Sequence, residues 1–183
     1  METQRFDGVA RSLHWIMAIL ILLMMLGGIG LDDLTPQARA EPLKIHSGIG
    51  LILLLLVVVR LWWRRRHPAP PYPPSMSPRQ QKIAKGVVHA FYALMIFQPI
   101  VGLIQAVTHV ETTVSPFGLI NLTSLLPSDA AVAEGFGALH ATGFFLLALL
   151  VVGHLVATLK HWLIDKDAIL SRMTPFVRPP KDT

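Results

Sequence analysis

The sequence predicts an all-α integral membrane protein built as a four-helix bundle, and three observations carry that expectation. Of 183 residues, 52% are hydrophobic and 15% charged, and the mean hydropathy is +0.54, too apolar for an ordinary soluble domain. Four runs are long enough to cross a hydrocarbon core of roughly 30 Å, which takes about 20 helical residues. They extend approximately from Leu13 to Leu31, Leu43 to Trp63, Ile83 to Val107 and Gly137 to Leu163. None shows the period-two alternation of barrel strands, and only helices or closed barrels satisfy their backbone in lipid. The chain reads as a single transmembrane domain over 1–183, with no internal repeat.

The first span follows Arg11 and precedes Ala38-Arg39-Ala40, a pattern that resembles a secretory signal and its cleavage site. The apolar run exceeds the usual signal core of roughly 7 to 15 residues, so it is read as a retained helix that keeps His14. The second span ends in Arg64-Arg65-Arg66, and the run His67-Pro68-Ala69-Pro70-Pro71-Tyr72-Pro73-Pro74 is expected to be an extended, semi-rigid connection. Ser77-Pro78-Arg79-Gln80 then supplies an N-cap, a proline at the first helical position and a capping-box Gln, so the third helix starts before its apolar part. The fourth span is the longest and carries His140, His154 and, at its end, His161.

Orientation follows from the basic residues. Two precede the first span (Arg5, Arg11), seven surround the second connection, and five follow the fourth span (Lys160, Lys166, Arg172, Arg178, Lys181). Only Arg39 and Lys44 fall on the other side, so the positive-inside rule makes both termini cytoplasmic. Trp15, Trp62, Trp63 and Trp162 all fall at the cytoplasmic ends of spans, where an interfacial aromatic belt belongs. Topology accounts for the formal charge of +5 better than nucleic-acid binding does, because the basic residues flank apolar runs.

The chain has no cysteine, which excludes disulfides, thiolate-held zinc, iron-sulfur clusters and covalently attached c-type haem. Metal chemistry must therefore run through nitrogen or oxygen, and there are eight histidines. Ionisable groups inside a transmembrane helix are costly and are functional candidates by default. His14, His46, His89, His140 and His154 lie within the spans, whereas His67 and His109 fall in connections and are expected to be solvated. Haem iron accepts two imidazoles from facing helices of a bundle.

Spacing sharpens the haem reading. His140 and His154 are 14 residues apart, about 21 Å along a helix and roughly 40° out of angular register. One helix face can thus present a ligand in each leaflet. His46 enters at a depth similar to His140, and His14 at a depth similar to His154, which makes two axial pairs; His89 competes with His14 for the inner one. Ser47, Gly48, Gly50, Gly143 and Gly153 flank these histidines and are expected to let a flat macrocycle approach, or to serve helix packing. A histidine-lined metal transporter would need acidic residues or thiolates in the spans, and there are none.

Residues along nearly the whole chain resemble the bacterial cytochrome b561 family, especially its diheme, quinone-reducing and superoxide-oxidising members. They include Leu13-His14-Trp15, His46-Ser47-Gly48-Ile49-Gly50 leading to Val59-Arg60-Leu61, the proline-rich connection, His89-Ala90-Phe91-Tyr92 and Pro99-Ile100-Val101-Gly102. The end is the most specific part: His140, His154, the run from Leu159-Lys160-His161-Trp162 to Asp167, and Leu170-Ser171-Arg172-Met173. The resemblance implies a four-helix bundle with two haem b groups, held by His14, His46, His140 and His154. It also implies a quinone site beside the inner haem, near His89 and His161, where quinone reduction needs proton donors.

Two departures bear on the electron donor and acceptor. Many relatives carry a His where this chain has Lys160, and Asp32, Asp33 and Glu41 offset Arg39 and Lys44 on the outer side. A positive field would help attract the superoxide anion, and Arg39 stands where the superoxide-oxidising members also carry an arginine. The expected activity is that of a superoxide:ubiquinone oxidoreductase, with electrons leaving to ubiquinone. The alternative is an electron-relay subunit serving a dehydrogenase or a periplasmic redox partner.

Overall fold

The computed structural model describes residues 5–110 and 112–174, so Arg178 and Lys181 lie outside the described residues. Their regular structure is helical, with no strand among them: α1 (Gly8–Gly28), α2 (Pro36–Arg66), α3 (Pro78–Thr108), α4 (Ala130–Leu163) and the short α5 (Ile169–Met173). The second, third and fourth expected spans fall within α2, α3 and α4, while α1 ends at Gly28, short of the expected Leu31; each of the four is apolar and long enough to cross a membrane.

Each long helix starts earlier than its apolar run, because a polar residue caps it outside that run. Asp7 accepts a hydrogen bond from the Ala10 amide, Thr35 from Ala38, and Asp129 from Ala131 and Val132. Ser77 and Gln80 form the expected reciprocal capping box at α3. α1 stops at Gly28, and Gly30 turns the chain with φ +73°, a region that favours glycine. Ala38-Arg39-Ala40 falls inside the first turns of α2.

α1 packs on α2, α2 on α3 and α3 on α4, while the approach of α4 to α1 and α2 is slight. Met17 and Ile21 of α1, Leu53 and Val57 of α2 and Leu147 of α4 form the buried core, with Phe91 and Met95 of α3 against it. The periphery is as apolar as the core: Leu26, Phe145 and Leu149 are about 70% exposed, as side chains facing lipid should be. At the basic end Arg60 joins three helices, donating to the Ala10 carbonyl at 2.9 Å and to the Tyr92 hydroxyl at 3.2 Å. There α5 is tied back by the Trp15 indole, which donates to the Met173 carbonyl at 2.9 Å.

At the opposite end the connection between α3 and α4 folds onto α2 through a 3₁₀ turn, Pro116–Gly118. Phe117 lies across Gly48, where a Cβ would come within 2.5 Å of its ring. Gly48 therefore seats the connection, so its packing partner is a side chain of this chain.

Candidate functional site

Two histidine pairs face each other across the gap between α4 and the α1–α2 hairpin. The rings of His14 and His154 have centroids 6.2 Å apart, and those of His46 and His140 are 6.3 Å apart. These are the pairs that depth and spacing predict. Two imidazole nitrogens each about 2.0 Å from one metal put the ring centroids roughly 6 Å apart. Both pairs therefore fit bis-imidazole ligation of iron, without either ring having to move to another helix. His89 is elsewhere: it is exposed, and its Nδ1 lies 2.7 Å from the Lys85 carbonyl one turn back.

A cavity of about 420 Å³ surrounds the His46–His140 pair, within the range of roughly 300 to 1,000 Å³ usual for cofactor pockets. Gly28, Gly50, Pro99, Gly102 and Phe144 contribute to a wall that is mostly apolar, as a porphyrin face requires. The glycines divide the work differently from the expectation. A Cβ on Gly28 would lie 3.1 Å from the His46 ring, and one on Gly102 would lie 2.7 Å from that of His140. Gly143 makes room for Gln98, and a Cβ on Gly153 would meet nothing within 4 Å.

Gln98 is the site residue that sequence reasoning missed. Its carbonyl oxygen lies 3.1 Å from His140 Nδ1, and its side-chain Nε2 donates to the His140 carbonyl at 3.1 Å. A polar residue beside Pro99 in a span was the available signal. Nothing in the linear pattern pairs it with a residue 42 positions later.

Arg39 is buried at the end of this cavity away from the basic side, 3.5 Å from Asp32 and 3.3 Å from the Thr112 hydroxyl. A second cavity of about 370 Å³ adjoins it, lined by Asp32, Gln105, His109 and Glu134. His109 is thus half-buried against the site and not solvated as its place in a connection suggested. The reason is that the connection folds back over the bundle end. His67 is exposed as expected, stacked on Trp63 at 4.0 Å.

At the basic end His161 closes α4. Its Nδ1 is 2.6 Å from Asp167 and 3.2 Å from Asp165, while Lys160 pairs with Asp165 at 2.6 Å. The Lys160 hydrogen bond holds the Asp165 carboxyl below its ordinary range. With Nδ1–H committed to a carboxylate, Nε2 is the His161 nitrogen left to meet another molecule. His89 and His161 make no hydrogen bond to each other among the described residues.

No curated protein matches the chain. The family described as prokaryotic cytochrome b561 matches residues 5–176, which takes in all four long helices and every histidine discussed above. The chain therefore belongs to the prokaryotic cytochrome b561 family, and is a multi-pass membrane b-type cytochrome that binds haem and transfers electrons.

Proposed function

We propose that this cytochrome is a diheme protein of the bacterial inner membrane that takes electrons at its periplasmic end and delivers them to ubiquinone near the cytoplasmic end. The observation that carries the reading is the pair of facing imidazole sets, 6.2 and 6.3 Å between centroids, at the two ends of α4. His46 and His140 hold the outer haem, and His14 and His154 the inner one. When bound there, haem b supplies one-electron transfer between the two leaflets.

The chain's own groups define the two ends. Superoxide is the favoured donor, guided by Arg39, which lines the outer cavity. At the other end His161, oriented by Asp167, and His89 on α3 each keep Nδ1–H engaged and can take up a proton at Nε2 and donate it to a quinone oxygen. Positive charge around the second connection and the α4 terminus supports a cytoplasmic location for that end.

A second reading, a relay subunit fed by a dehydrogenase or a periplasmic redox protein, has its own support. Both outer basic residues are already paired, Arg39 with Asp32 and Lys44 with Glu41, which weakens the field available to a small anion. Stopped-flow mixing of the purified holoprotein with superoxide and then a ubiquinone analogue separates the readings. Rapid haem reduction followed by quinone-driven reoxidation is the expected result. His161→Ala should keep both haems and the first phase but slow the second several-fold. No reduction by superoxide alone would transfer the donor role to a protein partner.

A further inference from the structure

His140 and Gln98 hold each other through both side chain and backbone. His140 Nδ1 is 3.1 Å from the Gln98 carbonyl oxygen, which can only accept, so Nδ1 carries the proton and Nε2 is left with its lone pair. In return the Gln98 amide donates from Nε2 to the His140 carbonyl at 3.1 Å. Flipping that amide would set its oxygen against a carbonyl oxygen, so the donor is assigned by its partner.

Two glycines make the clasp possible. A Cβ on Gly102 would lie 2.7 Å from His140 Cε1 and 2.9 Å from Nδ1, so the ring lies directly on the α3 backbone. On the facing helix, Gly143 leaves the space that Gln98 Oε1 occupies, and a Cβ there would collide with it. That oxygen is buried and has no hydrogen-bond partner among the described residues. Burying an amide oxygen unpaired is costly, so the amide is held there by what its nitrogen does. Each helix thus offers a hole for the other's polar side chain, an antiparallel exchange across the most closely packed helix pair of the bundle.

We propose that Gln98 is a positioning residue for His140: the reciprocal clasp, admitted by Gly102 and Gly143, fixes the imidazole tautomer and aims Nε2 into the outer cavity. This rests on the reading of His140 as an outer haem ligand. A metal-binding imidazole whose other nitrogen donates to a carbonyl is a stronger base and is held in one orientation. A stronger base favours the oxidised iron, so the clasp lowers the reduction potential of the haem His140 serves. Among the described residues the rings of His14, His46 and His154 make no hydrogen bond, so the effect is confined to one haem.

The test is redox titration and electron paramagnetic resonance of the purified holoprotein. Gln98→Met keeps the side-chain length and the backbone carbonyl that accepts from His140 Nδ1, but removes the amide that holds the His140 backbone in register with it, so that hydrogen bond loosens; Gly143→Ala displaces the same amide from the other helix. Each should retain two haems, raise one of the two midpoint potentials and shift the low-spin signal of that haem, leaving the other as in the wild type. Wild-type potentials and signals in both variants, or equal shifts at both haems, overturn the proposal. Failure of both variants to assemble also overturns it, since a clasp that only orients an imidazole is dispensable for folding. His140→Ala separates this from the reading beneath it: two low-spin haems in that variant mean the ligand assignment is what failed.

Discussion

Each of the four facing histidines has a different set of neighbours, and the differences decide what its replacement does. His140 is clasped to Gln98, His46 faces the open cavity, His14 lies edge-on to Trp15 at 5.5 Å, and His154 lies edge-on to Phe91 at 5.8 Å. His140→Ala should remove the outer haem and His154→Ala the inner one, whereas His89→Ala should keep both, as its ring faces no other histidine. A pyridine-haemochrome assay reads the counts; two haems retained in His140→Ala or in His154→Ala would overturn the pairing. The pairs themselves were legible from the sequence, because helical rise converts residue separation directly into depth. Gln98, Gly102 and the half-buried His109 were not, since their roles depend on the register between α3 and α4 and on the path of a connection. Helical periodicity says nothing about either.

At the scale of elements, the helices are held at their ends more than their apolar spans suggest. Asp7 caps α1 and also accepts from the Trp63 indole of α2 at 3.1 Å, so one carboxylate closes two helices together at the basic end. Burial works to raise its pKa, but the Ala10 amide and the Trp63 indole outweigh that and hold the carboxyl below its ordinary value of 3.8. A depressed pKa stabilises the fold above the unfolded value, and that contribution fades as pH falls through the lower, folded one. Asp7→Ala should cost about 1 kcal/mol by the loss of a cap, while Asn, which also caps, should recover most of it. Thermal unfolding in detergent at neutral pH measures both, and the gap between wild type and Asp7→Ala should narrow below pH 4. An unchanged melting temperature in Asp7→Ala would mean that α1 is held by Arg60 and lipid instead. The cap at α3 was legible as Ser77-Pro78-Arg79-Gln80; that of α1 was missed because its apolar run begins six residues after Asp7.

The whole molecule is polar at its two ends and apolar around its waist, and the ends are unlike. Twelve of the fourteen basic residues among the described ones belong to one end, with Trp15, Trp62, Trp63 and Trp162 beside them. In the proposed function that asymmetry, with the two histidine pairs 14 residues apart along α4, is what gives the electron path its direction. Sidedness decides which compartment each end of the molecule meets. A reporter fused after Thr183 should behave as cytoplasmic. A second, inserted between Leu125 and Leu126, should behave as periplasmic: both residues are exposed and lie beyond the segment that seats Phe117 on Gly48, so the insertion spares that contact. Alkaline phosphatase, active only after export, and a fluorescent protein that folds only in the cytoplasm give opposite signals at the two positions. The reverse labelling would put Arg39 and its cavity in the cytoplasm and His161 outside. The proposed donor and acceptor would then exchange ends, and a reaction that collects superoxide from the periplasm would be ruled out.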